Sequence, residues 1–124
     1  SGVMEVLVNP DACTETGLQM VISGGGNATF LGNFTVHNMV CINENGDPVS
    51  PIYGELTAAN GDMLYTWVIT DPWVDEDGMH YLYEIREGMC TGRFEGATGY
   101  IDMYGTIDHV SMTWDLQGEG LITF

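Results

Sequence analysis

Apolar and polar residues alternate through almost every segment of this chain. Leu18, Met20 and Ile22 share one face of a two-residue repeat, and Phe34, Val36, Val40 and Ile42 share another. The pattern returns at Met63, Tyr65, Trp67 and Ile69, and at Met79, Tyr81, Tyr83 and Ile85. It continues in Ile101, Met103 and Ile107, then in Val110, Met112, Trp114 and Leu116. A period of two marks a half-buried strand, and no segment sustains a helical period. Strands are predicted at 3–8, 18–23, 27–31, 33–42, 52–58, 63–70, 79–87, 100–107, 110–116 and 120–124. Gly24-Gly25-Gly26 is read as a strand end and Gly32 as a bulge. Asn43 to Pro48 and Asn60-Gly61-Asp62 carry turn signals, and 71–78 reads as an acidic loop.

Short strands at about 8–12-residue spacing suggest a sandwich or a barrel, and tight connections favour a meander. The fold class is therefore all-β: a single antiparallel up-and-down β-barrel of about eight strands. The chain has 124 residues, which suits one domain, 1–124, around one core. Ser1-Gly2 reads as an expression remnant. Several strand faces mix methionine with aromatics, which fits an irregular interior. Tyr65, Trp67, Tyr81, Tyr83, Met103 and Trp114 are the candidate lining of a cavity for an apolar molecule. The alternative is a filled core.

Charge narrows the partners. There are 18 acids against two bases, Arg86 and Arg93, for a net charge of −16. Such a surface argues against nucleic acid and anionic membranes, which need basic contacts. With no lysine, Schiff-base chemistry is excluded. No apolar run approaches the roughly 18 residues that span a bilayer.

The three cysteines, Cys13, Cys41 and Cys90, permit at most one internal disulfide. Pairing Cys13 with Cys41 would pin the N-terminal segment to the barrel and leave Cys90 free. Three buried reduced thiols are the other reading. No CxxC or Cys/His cluster indicates zinc. His37, His80 and His109 lack metal-pair spacing. Set on an EF-hand template, the 71–78 loop puts Trp73 at the first ligand position, so no metal is assigned. No nucleophile elbow is present, so no catalytic residue is assigned, and no cofactor is expected.

Residues 92–99, Gly-Arg-Phe-Glu-Gly-Ala-Thr-Gly, lie before a strand and lack a nearby lysine, so they do not read as a phosphate loop. They read as a corner in which Phe94 plugs the barrel and Arg93 binds a carbonyl or carboxylate.

Residues 25–36, 57–62 and 92–99, in this order, resemble small secreted bacterial proteins similar to the allene oxide cyclase barrel, a lipocalin-like fold. The resemblance covers roughly 11–124 and implies the barrel. It also implies a Cys13–Cys41 bridge and a secreted or periplasmic setting, where disulfides persist. It carries no active site, and it makes a homo-oligomer plausible. The expected function is binding of a small hydrophobic ligand in the barrel. The alternatives are an isomerase or cyclase acting in that cavity, and a structural, oligomerising extracellular module.

Overall fold

The computed structural model describes residues 1–29 and 31–124. Phe30, within a predicted strand, lies outside them. The alternating segments form β1 (Gly2–Val8), β2 (Leu18–Ala28), β3 (Gly32–Ile42), β4 (Ile52–Ala58) and β5 (Met63–Val68). They continue as β6 (Trp73–Asp75), β7 (Gly78–Ile85), β8 (Thr98–Asp108) and β9 (Thr113–Thr123). Every pairing is antiparallel, in the order β5-β4-β3-β2-β1-β9-β8-β7-β6. A further pairing of β5 with β7 closes an eight-stranded barrel and leaves β6 as an extra strand on β7. No helix among the described residues is long and apolar enough to cross a membrane.

Three elements differ from the pattern-based expectation. β2 does not end at Gly24, because residues 24–28 keep pairing with 32–36 of β3. The acidic 71–78 segment contains β6, since Trp73 pairs with His80 and Asp75 with Gly78. The segments 110–116 and 120–124 are one strand from Thr113, while Val110 and Met112 belong to the preceding turn. Gly32 opens β3 with a left-handed φ of 64° and bulges nothing.

Both closing seams are thin. β1 meets β9 through Gly2↔Trp114 and Val3↔Thr113, helped by the Met4 amide donating to the Met112 carbonyl at 2.8 Å. β5 meets β7 through Thr66↔Ile85 and Trp67↔Glu84. β1 covers β2 only as far as Gly24. Beyond it, residues 25–28 of β2 and 115–123 of β9 have no strand between them.

Packing follows this geometry. Met20, Val40, Ile42, Ile52 and Val68 belong to one buried cluster inside the barrel. A second cluster gathers Leu31, Ala58, Leu64, Ile85, Cys90 and Ala97 around the fully buried Phe94. The 92–99 corner delivers that ring through one 3-10 turn, Gly92–Phe94. Gly92 has a φ of 59°, and a Cβ there would overlap the Asp62 carboxylate, so glycine lets the corner dock on the β4–β5 turn. Asp62 accepts the Arg93 amide at 3.2 Å, and the Thr91 hydroxyl accepts the Met63 amide at 3.0 Å. The Cys13–Cys41 disulfide ties the N-terminal loop to β3, and Cys90 is a buried free thiol.

Candidate functional site

The inward faces of β3, β4 and β5 carry one polar rung across the barrel wall. Asn38 pairs with Gly54, and Gly54 with Thr66. Asn38 and Thr66 share their faces with apolar neighbours, so both point inward and keep 5% and 1% of their surface exposed. A Cβ on Gly54 would stand 2.5 Å from the Thr66 hydroxyl oxygen and 2.8 Å from Asn38 Oδ1. Glycine therefore makes room for the two polar groups. From β7, the Tyr83 hydroxyl accepts Asn38 Nδ2 at 2.8 Å. From β9, Trp114 completes the lining.

These residues line a niche of about 40 Å³. Since one water needs roughly 10–15 Å³, it has room for about three or four atoms of that size. Three buried side-chain atoms of these residues have no partner among the described residues, Asn38 Oδ1, Thr66 Oγ1 and Trp114 Nε1, while the surface that faces the niche is almost all carbon. Turning the amide over would satisfy the oxygen and strand the nitrogen instead, so one amide atom stays unpartnered either way. Leaving a buried polar atom unpaired costs about 1–3 kcal/mol, which makes three in one part of the core unusual.

Above the niche lies a wider recess of about 690 Å³. It opens between residues 25–28 of β2 and the far half of β9, where the wall lacks a strand. Val36, Leu56, Ile101, Met103 and Trp114 line both spaces, so the niche forms the floor of the recess. Its walls are largely apolar, with Glu119 and Gln117 among the residues at the opening.

No charged side chain lines the niche. Burial pushes the Tyr83 hydroxyl far above its ordinary value, and Tyr81 is raised by the same cause. Tyr83 is therefore a neutral phenol at physiological pH. Both arginines are engaged elsewhere. Arg86 stacks over Tyr53 and Trp67 at 5.2 and 4.9 Å, and Arg93 lies over Phe94 at 4.9 Å.

The candidate lining residues divide. Met103 and Trp114 line recess and niche, Tyr83 lines the niche, and Tyr81 packs against the central cluster. Tyr65 and Trp67 require correction. The register of β5 turns Leu64, Thr66 and Val68 inward, so Tyr65 and Trp67 sit on the outer wall. Arg93 and Phe94 form the expected corner, with Arg93 Nε 3.9 Å from the Asp62 carboxylate. Asn38 and Thr66 were missed, although parity placed Asn38 on the face of Val36 and Val40.

A second cluster stands outside the barrel. His80 lies between Trp73 and Tyr104, with ring centroids at 4.9 and 5.2 Å. Its Nε2 meets Asp75 at 2.8 Å and its Nδ1 meets Asp102 at 3.0 Å. Burial alone would lower the His80 pKa, but the two carboxylates outweigh it and raise the value. Asp75 is lowered, first by the Asp77 amide and then by His80. Asp77 lies close by, yet both imidazole nitrogens are already taken. The group is a hydrogen-bonded clasp, one imidazole between two carboxylates, holding β6 and β7 against β8.

The molecule is thus defined as a closed antiparallel barrel, packed through much of its interior, with a largely apolar recess open on one side. No protein-family model, curated protein or solved structure matches the chain.

Proposed function

We propose that this protein binds a small apolar molecule in the recess. The supporting observation is an apolar recess of about 690 Å³ that continues into the niche past Val36, Leu56, Ile101, Met103 and Trp114. A filled core would leave no such space inside the wall. The isomerase or cyclase reading finds polar groups in Asn38 and Tyr83. It finds no acid or base of near-neutral pKa among the niche residues, so binding is the better supported reading. The disulfide favours an oxidising compartment, and we place the protein outside the cytoplasm on that ground.

A titration with the fluorescent probe N-phenyl-1-naphthylamine tests the proposal. Saturable emission enhancement is expected, and Met103→Trp should abolish it while the protein still unfolds cooperatively. Absence of saturation in the unaltered protein would overturn the proposal. So would undiminished binding in the folded variant.

A further inference from the structure

The mouth of the recess is also a gap in the sheet. We infer that an extended segment of another protein enters this gap as an added strand between β2 and β9. Its residues are apolar at alternate positions and basic between them. The inference goes beyond the small-molecule reading and does not rest on it, because its support is the main chain at the rim.

Existing hydrogen bonds fix which groups face the gap. The N–H and C=O of one strand residue point to the same side, and alternate residues share that side. The Ser1 ammonium donates to the Gly25 carbonyl at 3.0 Å, and the Gly25 amide donates back to Ser1 at 3.1 Å. Asn27, two residues further on, therefore turns its main-chain groups to the gap. On β9, Gly2 pairs with Trp114, and the Met112 carbonyl accepts the Met4 amide. The β8–β9 register runs on without a bulge, so Leu116, Gly118, Gly120 and Ile122 face the gap in turn. Beyond Ser1, no strand among the described residues pairs with this side of either edge. All five residues line the recess. Two open edges facing one space offer an extended backbone its hydrogen bonds.

The register also sets the side chains. Gly2 stands opposite the buried Trp114, so a strand continuing the line of β1 points inward opposite Leu116, Gly118 and Gly120. Those inward side chains meet Phe34, Leu56, Ile101 and Met103, which favours apolar residues. Gly118 and Gly120 put no side chain of their own into the space. The residues between point outward, beside the exposed Asp115, Gln117 and Glu119. Neither arginine is at this rim, since Arg86 lies over Tyr53 and Trp67 and Arg93 faces Asp62. Basic residues therefore suit the outward positions. The net charge of −16 disfavours a second copy of this chain as the occupant. The inward side chains take the space of a small ligand, so the two occupants exclude each other.

The peptide acetyl-KVKVKVK-amide tests this, with exchange of amide protons with water followed in ¹H–¹⁵N spectra. Its control carries N-methyl groups on the valines, which removes the donors aimed at β9 and keeps charge and side chains. With peptide at about ten times its Kd, exchange at Leu116, Gly118, Gly120 and Ile122 should slow about tenfold. Gln117, Glu119 and Leu121, whose amides point to β8, should change less. The control should slow none of them. In Asp115→Asn/Glu119→Gln the peptide should bind about fivefold more weakly, and equal affinity would contradict the basic pattern. Unchanged exchange at about 1 mM peptide would overturn the inference. So would equal slowing by the control, which would mean that charge alone acts. Slowing that grows with protein concentration in the absence of peptide would assign the edge to a second copy and overturn it too. The small-molecule proposal is read separately, by the naphthylamine titration, and stands if the peptide fails.

Discussion

Arg93 and Phe94 are neighbours in the corner but differ in energetic weight. The Phe94 ring is fully buried among Leu64, Ile85 and Cys90, so its deletion leaves a cavity. The Arg93 side chain is half exposed, and its Asp62 contact is a screened surface pair. Phe94→Ala is expected to cost about 3–5 kcal/mol and Arg93→Ala under about 1 kcal/mol, measured by denaturant unfolding. Equal losses would show that the guanidinium does more than this geometry allows. At this scale the sequence was readable in part. Alternation ran through Phe34, Val36, Val40 and Ile42, and the interrupting Asn38 was itself the sign of a polar residue inside the barrel. β5 was harder, because Leu64 and Val68 are as apolar as Met63 and Trp67. Parity alone cannot orient a strand whose two faces look alike. The outer aromatics are explained by Arg86, which packs on Tyr53 and Trp67 and gives them a partner outside the core.

Among the elements, the β6–β7 hairpin owes its position to the His80 clasp. Sequence pattern hid β6, because Pro72 and the acidic run signal a loop. The strand forms where Trp73 lies opposite His80 and stacks on it. The pH dependence of the clasp follows from its two pKa shifts. His80 is raised above 6.5, so its stabilisation is complete below about pH 6.5 and fades as pH rises through the raised value. Asp75 is lowered from 3.8, so its share is present above that pH and is lost as pH falls through the lowered value. The hairpin should therefore be held most firmly from about pH 4 up to the raised His80 value. Proton NMR titration of the His80 ring should give a pKa above 6.5. Amide exchange in β6 should rise faster above that point than base catalysis alone explains. A His80 pKa below 6.5 would contradict the clasp, and His80→Gln should erase the extra exchange.

The whole molecule balances an acidic surface against a barrel closed by two short seams. The disulfide adds constraint at the packed side, joining residues 28 apart in sequence. Loop-closure entropy for such a span gives about 3–4 kcal/mol. Urea unfolding under dithiothreitol should show a loss of that order, and an unchanged midpoint would mean that the bridge adds nothing. The barrel itself was legible from strand spacing and turn residues, because both are local. The recess was not, because it arises where β1 stops short between β2 and β9, and register is a property of paired strands. The central claim is that the hollow of this barrel receives its ligand at Trp114. A ¹H–¹⁵N correlation spectrum resolves the indole N–H groups of Trp67, Trp73 and Trp114 separately. On titration with 2-naphthalenemethanol, the Trp114 indole resonance should shift saturably while those of Trp67 and Trp73, on the outer face, hold still. A static Trp114 resonance, or shifts confined to Trp67 and Trp73, would contradict the account.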